Sequence, residues 1–143
     1  MSQALSMFNS VGSSAFTNMV CQMAPYFSTI GPEITELRST YAAVTVPFRK
    51  EITNHLASVH AIALCNAAEL AGGMMTDASV PPGAKWIPKG MVVEYLAKAK
   101  TNIRAVADGG AVDWTEAGDK IVPVDIFDEG DVKVFTARIT MAV

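Results

Sequence analysis

Between Glu51 and Asp77 the chain has no Asp, Glu, Lys or Arg except Glu69, and the stretch around it, NHLASVHAIALCNAAELAGGMM, is dominated by small and apolar residues. Ala, Leu, Met and Glu favour helix, Ser58 can cap its start, and SVPPG at 79–83 stops it, so the spacing predicts one helix over about 60–78. Apolar or small residues occur on every side of that helix. A helix without a polar face must be surrounded by protein, so the rest of the chain has to wrap it.

The flanking text supplies the wrapping. Leu5, Phe8, Phe16, Met19 and Met23 recur at helical spacing, weakened at its centre by Gly12 and ended by Pro25 and Gly31-Pro32. EITELRSTYAAVTVP at 33–47 turns to β-branched residues and reads as strand. After the helix, AKWIPKGMVVEYLAKAK, TNIRAVAD, KIVPVDIFD and VKVFTARITMAV read as four more strands, with turns at Gly109-Gly110 and Glu129-Gly130. In the last, Lys133, Phe135, Ala137, Ile139 and Met141 alternate with Val132, Val134, Thr136, Arg138 and Thr140, a half-buried pattern with one mixed face. Pro123 suits an edge or a bulge. The economical α+β architecture is a curved, mainly antiparallel sheet around one long central helix, with an N-terminal helix, in a single domain over 1–143.

Half the residues are hydrophobic and 17% are charged, rich for a small monomer, so apolar surface buried between copies is expected. A net charge of -3 argues against a nucleic-acid backbone as partner. Cys21 and Cys65 have no metal-ligand spacing with His55 or His60 and read as buried free thiols. No Lys or Arg precedes Arg38, so the basic start of a signal peptide is missing, and polar residues interrupt any membrane span. The expected setting is cytoplasmic.

On a helical projection Ile62, Cys65, Asn66, Glu69, Gly72, Gly73 and Thr76 share a face, where small residues permit close approach of another backbone or a slender ligand. Two readings of Glu69 stay open: a structural carboxylate paired with Arg104 or Lys98, or a reactive one. Asn54 and His60 stand at the helix start, where free N–H groups can polarise a carbonyl oxygen. His60 and Glu69 are nine residues apart, about 13 Å along one helix. One helix therefore cannot bring both to a small substrate, whereas two antiparallel copies about a two-fold axis can.

Asn54, then His60, then an acid on an alanine-rich helix resembles the hotdog-fold thioesterases of the phenylacetate-degradation type, with VHAIALCNAAELAGG most similar to an uncharacterised branch of that superfamily. The resemblance covers the whole order of elements, and its specific part lies within 54–73. It implies an acyl-CoA thioesterase acting at a dimer interface, or a non-catalytic acyl-CoA-binding protein on the same scaffold. It gives Glu69 the role of nucleophile or general base and the Ala61 N–H that of polarising the thioester carbonyl. Asn54 places the water or the carboxylate, His60 supports the turn, and Asn66, Gly73 and Ile62 face substrate. The partners implied are a second copy, with a dimer of dimers as a further step, and an acyl thioester of coenzyme A or a carrier protein. No metal or cofactor is implied beyond the coenzyme A of the substrate. The sequence departs from the family in having His60-Ala61-Ile62 for His-Gly-Gly, Glu69 for the commoner Asp, and Ile87-Pro88 where a Ser or Thr is usual. Lys85, Lys89, Lys98, Lys100 and Arg104 offer positive charge for nucleotide phosphates or a solvated strand face, and Trp86 and Trp114 offer adenine stacking or packing.

Overall fold

The structure, a computed structural model, describes residues 2–143. The apolar helix forms as expected and shifted by one residue, as α3, Ala61–Ser79. Before it come α1, Gln3–Val11, and α2, Ser13–Met23, then a 3-10 helix at Pro25–Ile30 and strands β1, Glu33–Arg38, and β2, Tyr41–Val46. After it come β3, Ile87–Tyr95, β4, Ile103–Asp108, β5, Asp119–Phe127, and β6, Lys133–Ala142. The single N-terminal helix read from the sequence is thus two. Gly12 sits at φ 86 between them, a backbone state other residues reach only with strain, and it breaks the helix rather than weakening it.

The six strands form one sheet in the order β1-β2-β4-β5-β6-β3, antiparallel at every pairing. It curves around α3 in the hotdog arrangement. α3 lies across β4, β2, β5 and β1, with α1 at its side and α2 packed against β1 and α1. Leu64, Ala67, Ala68, Leu70, Ala71, Met75 and Ala78 are buried beneath the helix, and the inward residues of β6, Phe135, Ala137, Ile139 and Met141, meet them. The helix lies close because Gly72 lets it. A Cβ there would fall 3.0 Å from Ile139 Cδ1 and 3.4 Å from Val124 Cγ2.

Pro123 lies in an interior strand, not at the edge of the sheet. The β4 ladder stops at Val124, so at Pro123 the strand is bordered on one side only, which is what a residue without an N–H requires. The actual edge after the helix is β3. It pairs only with β6, and its residues are exposed almost throughout.

Candidate active site

His60, not Ser58, caps α3. Its Nδ1 accepts from the Ile62 N–H at 3.0 Å, and the chain is pinned there by His60 N–H to the Ile52 carbonyl and Val59 N–H to the Ala99 carbonyl, both 2.8 Å. Ser58 is buried and belongs to the preceding loop. Its N–H and hydroxyl donate to Asn54 Oδ1 at 3.2 and 3.1 Å, and Leu56 N–H donates to the same oxygen at 2.9 Å. This side-chain-to-backbone turn holds Ala57 at φ 58. Asn54 therefore has its carbonyl oxygen engaged within the loop, and its amide nitrogen is the group left to offer. His55 is an exposed loop residue.

The capping geometry decides which first-turn amides are spoken for. The Ile62 N–H goes to His60, and the Leu64 N–H goes to the His60 carbonyl at 3.1 Å. Among the described residues, nothing accepts from the Ala61 N–H, which sits half-exposed at the positive end of a 19-residue helix.

Glu69 lies two turns further on. It is half-buried, and among the described residues it has neither an ion pair nor a hydrogen bond. The cation proposed for a structural pair is engaged elsewhere, since Arg104 lies 3.7 Å from Asp131, and Lys98 is exposed. Neither Arg104 nor Lys98 forms an ion pair with Glu69 among the described residues, so the structural-pair reading of Glu69 does not hold within one chain. Ala61 and Glu69 are separated by one continuous helix, about 12 Å of rise, so a single chain does not bring them together.

The remaining face residues divide. Ile62 is 54% exposed beside Glu69's stripe. Asn66 is only 7% exposed and turns toward the 3-10 helix, its amide donating to Thr29 Oγ1 at 3.3 Å while its own carbonyl oxygen is buried without a partner among the described residues. Gly73 does admit a close neighbour, but it is Trp86 of the same chain: a Cβ at Gly73 would stand 3.0 Å from Cη2 of that ring. The indole N–H donates to Asp77 Oδ1 at 2.9 Å, which fixes the ring over the helix. Nothing in the sequence signalled this contact, because residues 73 and 86 meet only through the course of the loop between them.

Next to Glu69's stripe runs the free edge of β3. Cys65 Sγ lies 3.6 Å from the Tyr95 hydroxyl, and this contact, with burial adding to it, holds the phenol above its ordinary pKa. Val92 is 59% and Tyr95 56% exposed, with Met91 and Leu96 near them. A long apolar edge of this kind is a surface that natural proteins cover. Neither cysteine is fully buried, contrary to the expectation for both; Cys21 and Cys65 are half-exposed free thiols. Of the positive residues after the helix, Lys89 is paired with Asp119 at 2.8 Å, and Lys85, Lys98 and Lys100 are exposed. Trp114 is buried packing, its N–H donating to the Gly109 carbonyl. Among the described residues, no helix is long and apolar enough to cross a membrane.

Residues 12–143 match a family model described as a domain of unknown function, DUF4442. A search of curated proteins found no match. Among solved structures, a genomics target designated APC5556 is 55% identical, with a TM-score of 0.89 over 98% of this chain and 95% of the other. A thioesterase from Haemophilus influenzae is 16% identical, with a TM-score of 0.78 over 90% of this chain and 87% of the other. The E. coli PaaI protein of the phenylacetic acid degradation operon is also 16% identical, with a TM-score of 0.72 over 90% of this chain and 97% of the other.

Proposed function

The chain belongs to the DUF4442 family and has the hotdog fold, and from that premise we propose that it hydrolyses acyl thioesters of coenzyme A, or of the related carrier-protein arm, at a site completed by a second copy of itself. The observation that carries this reading is Glu69, a half-exposed carboxylate in the middle of an apolar helix, without a partner among the described residues and next to an apolar sheet edge beyond which those residues place no strand. Joining two copies along β3 would cover that edge. It would also set the start of one α3 near the middle of the other if the helices run antiparallel. Similarity to thioesterase structures supports the scaffold.

In this site the Ala61 N–H of one copy faces the Glu69 carboxylate of the other across the thioester. Glu69 takes a proton from water as the water oxygen bonds to the carbonyl carbon, or attacks that carbon itself. The carbonyl π pair moves to oxygen, and the Ala61 N–H with the helix terminus stabilises the oxyanion. Collapse breaks the C–S bond: in the general-base route the leaving sulfur takes the proton back from Glu69, and in the direct-attack route it leaves as the thiolate and is protonated by solvent. In the direct-attack route water then cleaves the acyl–Glu69 anhydride. The chemistry needs no cofactor beyond the coenzyme A of the substrate. A second reading, binding without turnover, draws support from Asn54 and Asn66, whose carbonyl oxygens are taken up or buried and leave Glu69 without a polar companion on its own chain.

Thiol release measured across short, long and aromatic acyl-CoAs separates the two. Turnover that falls about 10²- to 10⁴-fold in Glu69→Gln supports hydrolysis by this carboxylate. Full activity in that variant refutes the mechanism, and tight binding without turnover in the parent favours the binder. Mixing Glu69→Gln with Ala61→Pro chains restores activity only if two copies build one site.

A further inference from the structure

α1, α2, the C-terminal half of α3 and the loop at 80–86 enclose an open groove of about 720 Å³, walled chiefly by Met7, Phe16, Met19, Met23, Phe27 and Met74. That volume suits an organic ligand, and methionine walls adapt to flexible apolar chains. The one charged side chain on the groove, Asp77, is engaged by the Trp86 indole. Glu69 does not line it. Between the two lies Gly73, one turn or about 6 Å along the axis from Glu69, with the Trp86 ring resting on its backbone. The same ring forms part of the groove wall.

We infer that Trp86 sets the length of the acyl chain this protein accepts: its indole, held over Gly73 by Asp77, ends the cleft at Glu69 and separates it from the methionine-lined groove. This rests on the thioester reading above. Short acyl groups lie between Glu69 and the ring. Longer ones need the groove, and the ring denies it to them. Gly73 belongs to the device, since a methyl there already makes the ring give by a few tenths of an ångström and a larger side chain would displace it. The tether matters too, because the half-buried indole has no other hydrogen bond among the described residues to fix it.

The test compares butyryl- and dodecanoyl-CoA as substrates of the parent, Trp86→Phe and Trp86→Ala. It also measures, by calorimetry, binding of the non-hydrolysable thioether analogues of the same two chains. In Trp86→Ala the dodecanoyl-to-butyryl ratio, in kcat/KM and in affinity, rises at least about tenfold, the gain from burying about two further methylenes. Trp86→Phe, which loses the Asp77 tether and the outer ring atoms over Gly73, falls between the parent and Trp86→Ala. Adding Met74→Trp to Trp86→Ala refills the groove and lowers the ratio again. A Trp86→Ala protein that melts cooperatively with the parent's ratio in both measurements overturns the inference and leaves hydrolysis standing. A shifted affinity ratio without turnover in any form upholds the chain-length role and removes the hydrolase reading. Failure of both parent and variant to bind either thioether overturns both.

Discussion

Gly72 and Gly73 are neighbours in the interior of α3, so an alanine at either gains the same helix propensity, about 1 kcal/mol. Their surroundings give the two substitutions different outcomes. At Gly72 the added methyl meets Ile139 Cδ1 at 3.0 Å, Val124 Cγ2 at 3.4 Å and Val122 Cγ1 at 3.6 Å, all on fully buried strand residues. Ile139 Cδ1 has to give by a few tenths of an ångström inside a fully buried core, with the two valines already at contact distance and leaving the methyl no room to move aside, and overpacking of that kind costs about 2 kcal/mol. The balance is a loss of about 1 kcal/mol, or about 3 °C in Tm for a chain of this size. At Gly73 the methyl meets one ring, Trp86, with Cη2 at 3.0 Å and the next atom at 3.6 Å. The ring lies at the rim and can tilt by a few tenths of an ångström, so the cost stays below about 1 kcal/mol and the propensity gain offsets it. Gly73→Ala should therefore melt within about 1 °C of the parent or above it, and Gly72→Ala clearly below. Urea unfolding followed by circular dichroism, with thermal melts alongside, measures both. If Gly72→Ala proves as stable as Gly73→Ala, close approach of helix and sheet is not what requires the glycine, and the account of the α3 packing fails.

Ala61→Pro removes one N–H at the first helical position, where proline is well tolerated and where His60 already has the extended backbone that proline asks of its predecessor. Tm should hold while thioester turnover drops about 10²- to 10³-fold, the effect of losing one oxyanion donor; equal turnover would show that another group polarises the carbonyl. Asn54→Ala strips three donors of their shared acceptor, one of them the hydroxyl of buried Ser58, and should lower stability by about 2 kcal/mol in urea titrations, with Asn54→Asp retaining most of it. Equal stability of the alanine variant would mean that water replaces the acceptor freely. The Thr115 hydroxyl and then its N–H hold the Asp113 carboxyl below its ordinary pKa, with Lys120 adding to this against slight desolvation. A depressed carboxyl contributes stability above its ordinary pKa and loses it as pH falls through the lowered one. NMR titration should show the Asp113 midpoint rising in Thr115→Ala and staying low in Thr115→Ser; an unmoved midpoint in the alanine variant assigns the shift elsewhere.

The central helix was legible before any coordinates because its composition excludes a surface position, and the alternation in β6 gave its inward face in the same way. Both are local statements about period and polarity, and a chain encodes those directly. Gly12 was legible as a weak point but not as a break, since sequence does not reveal its φ. Which of Ser58 and His60 caps the helix was not legible, because hydroxyl and imidazole caps look alike until the loop's hydrogen bonds are drawn, and Asn54 engages the serine.

What the sequence determined by itself is the element order, the buried helix and the oddity of Glu69. What only the tertiary structure decided is who meets whom: that no cation among the described residues reaches Glu69, that Gly73 is covered by Trp86, that Asn66 turns toward Thr29, and that β3 rather than β5 is the edge strand after the helix. Periodicity fixes which face of an element a residue occupies. Neighbours across loops depend on strand order and chain path, and one-dimensional spacing carries no record of either.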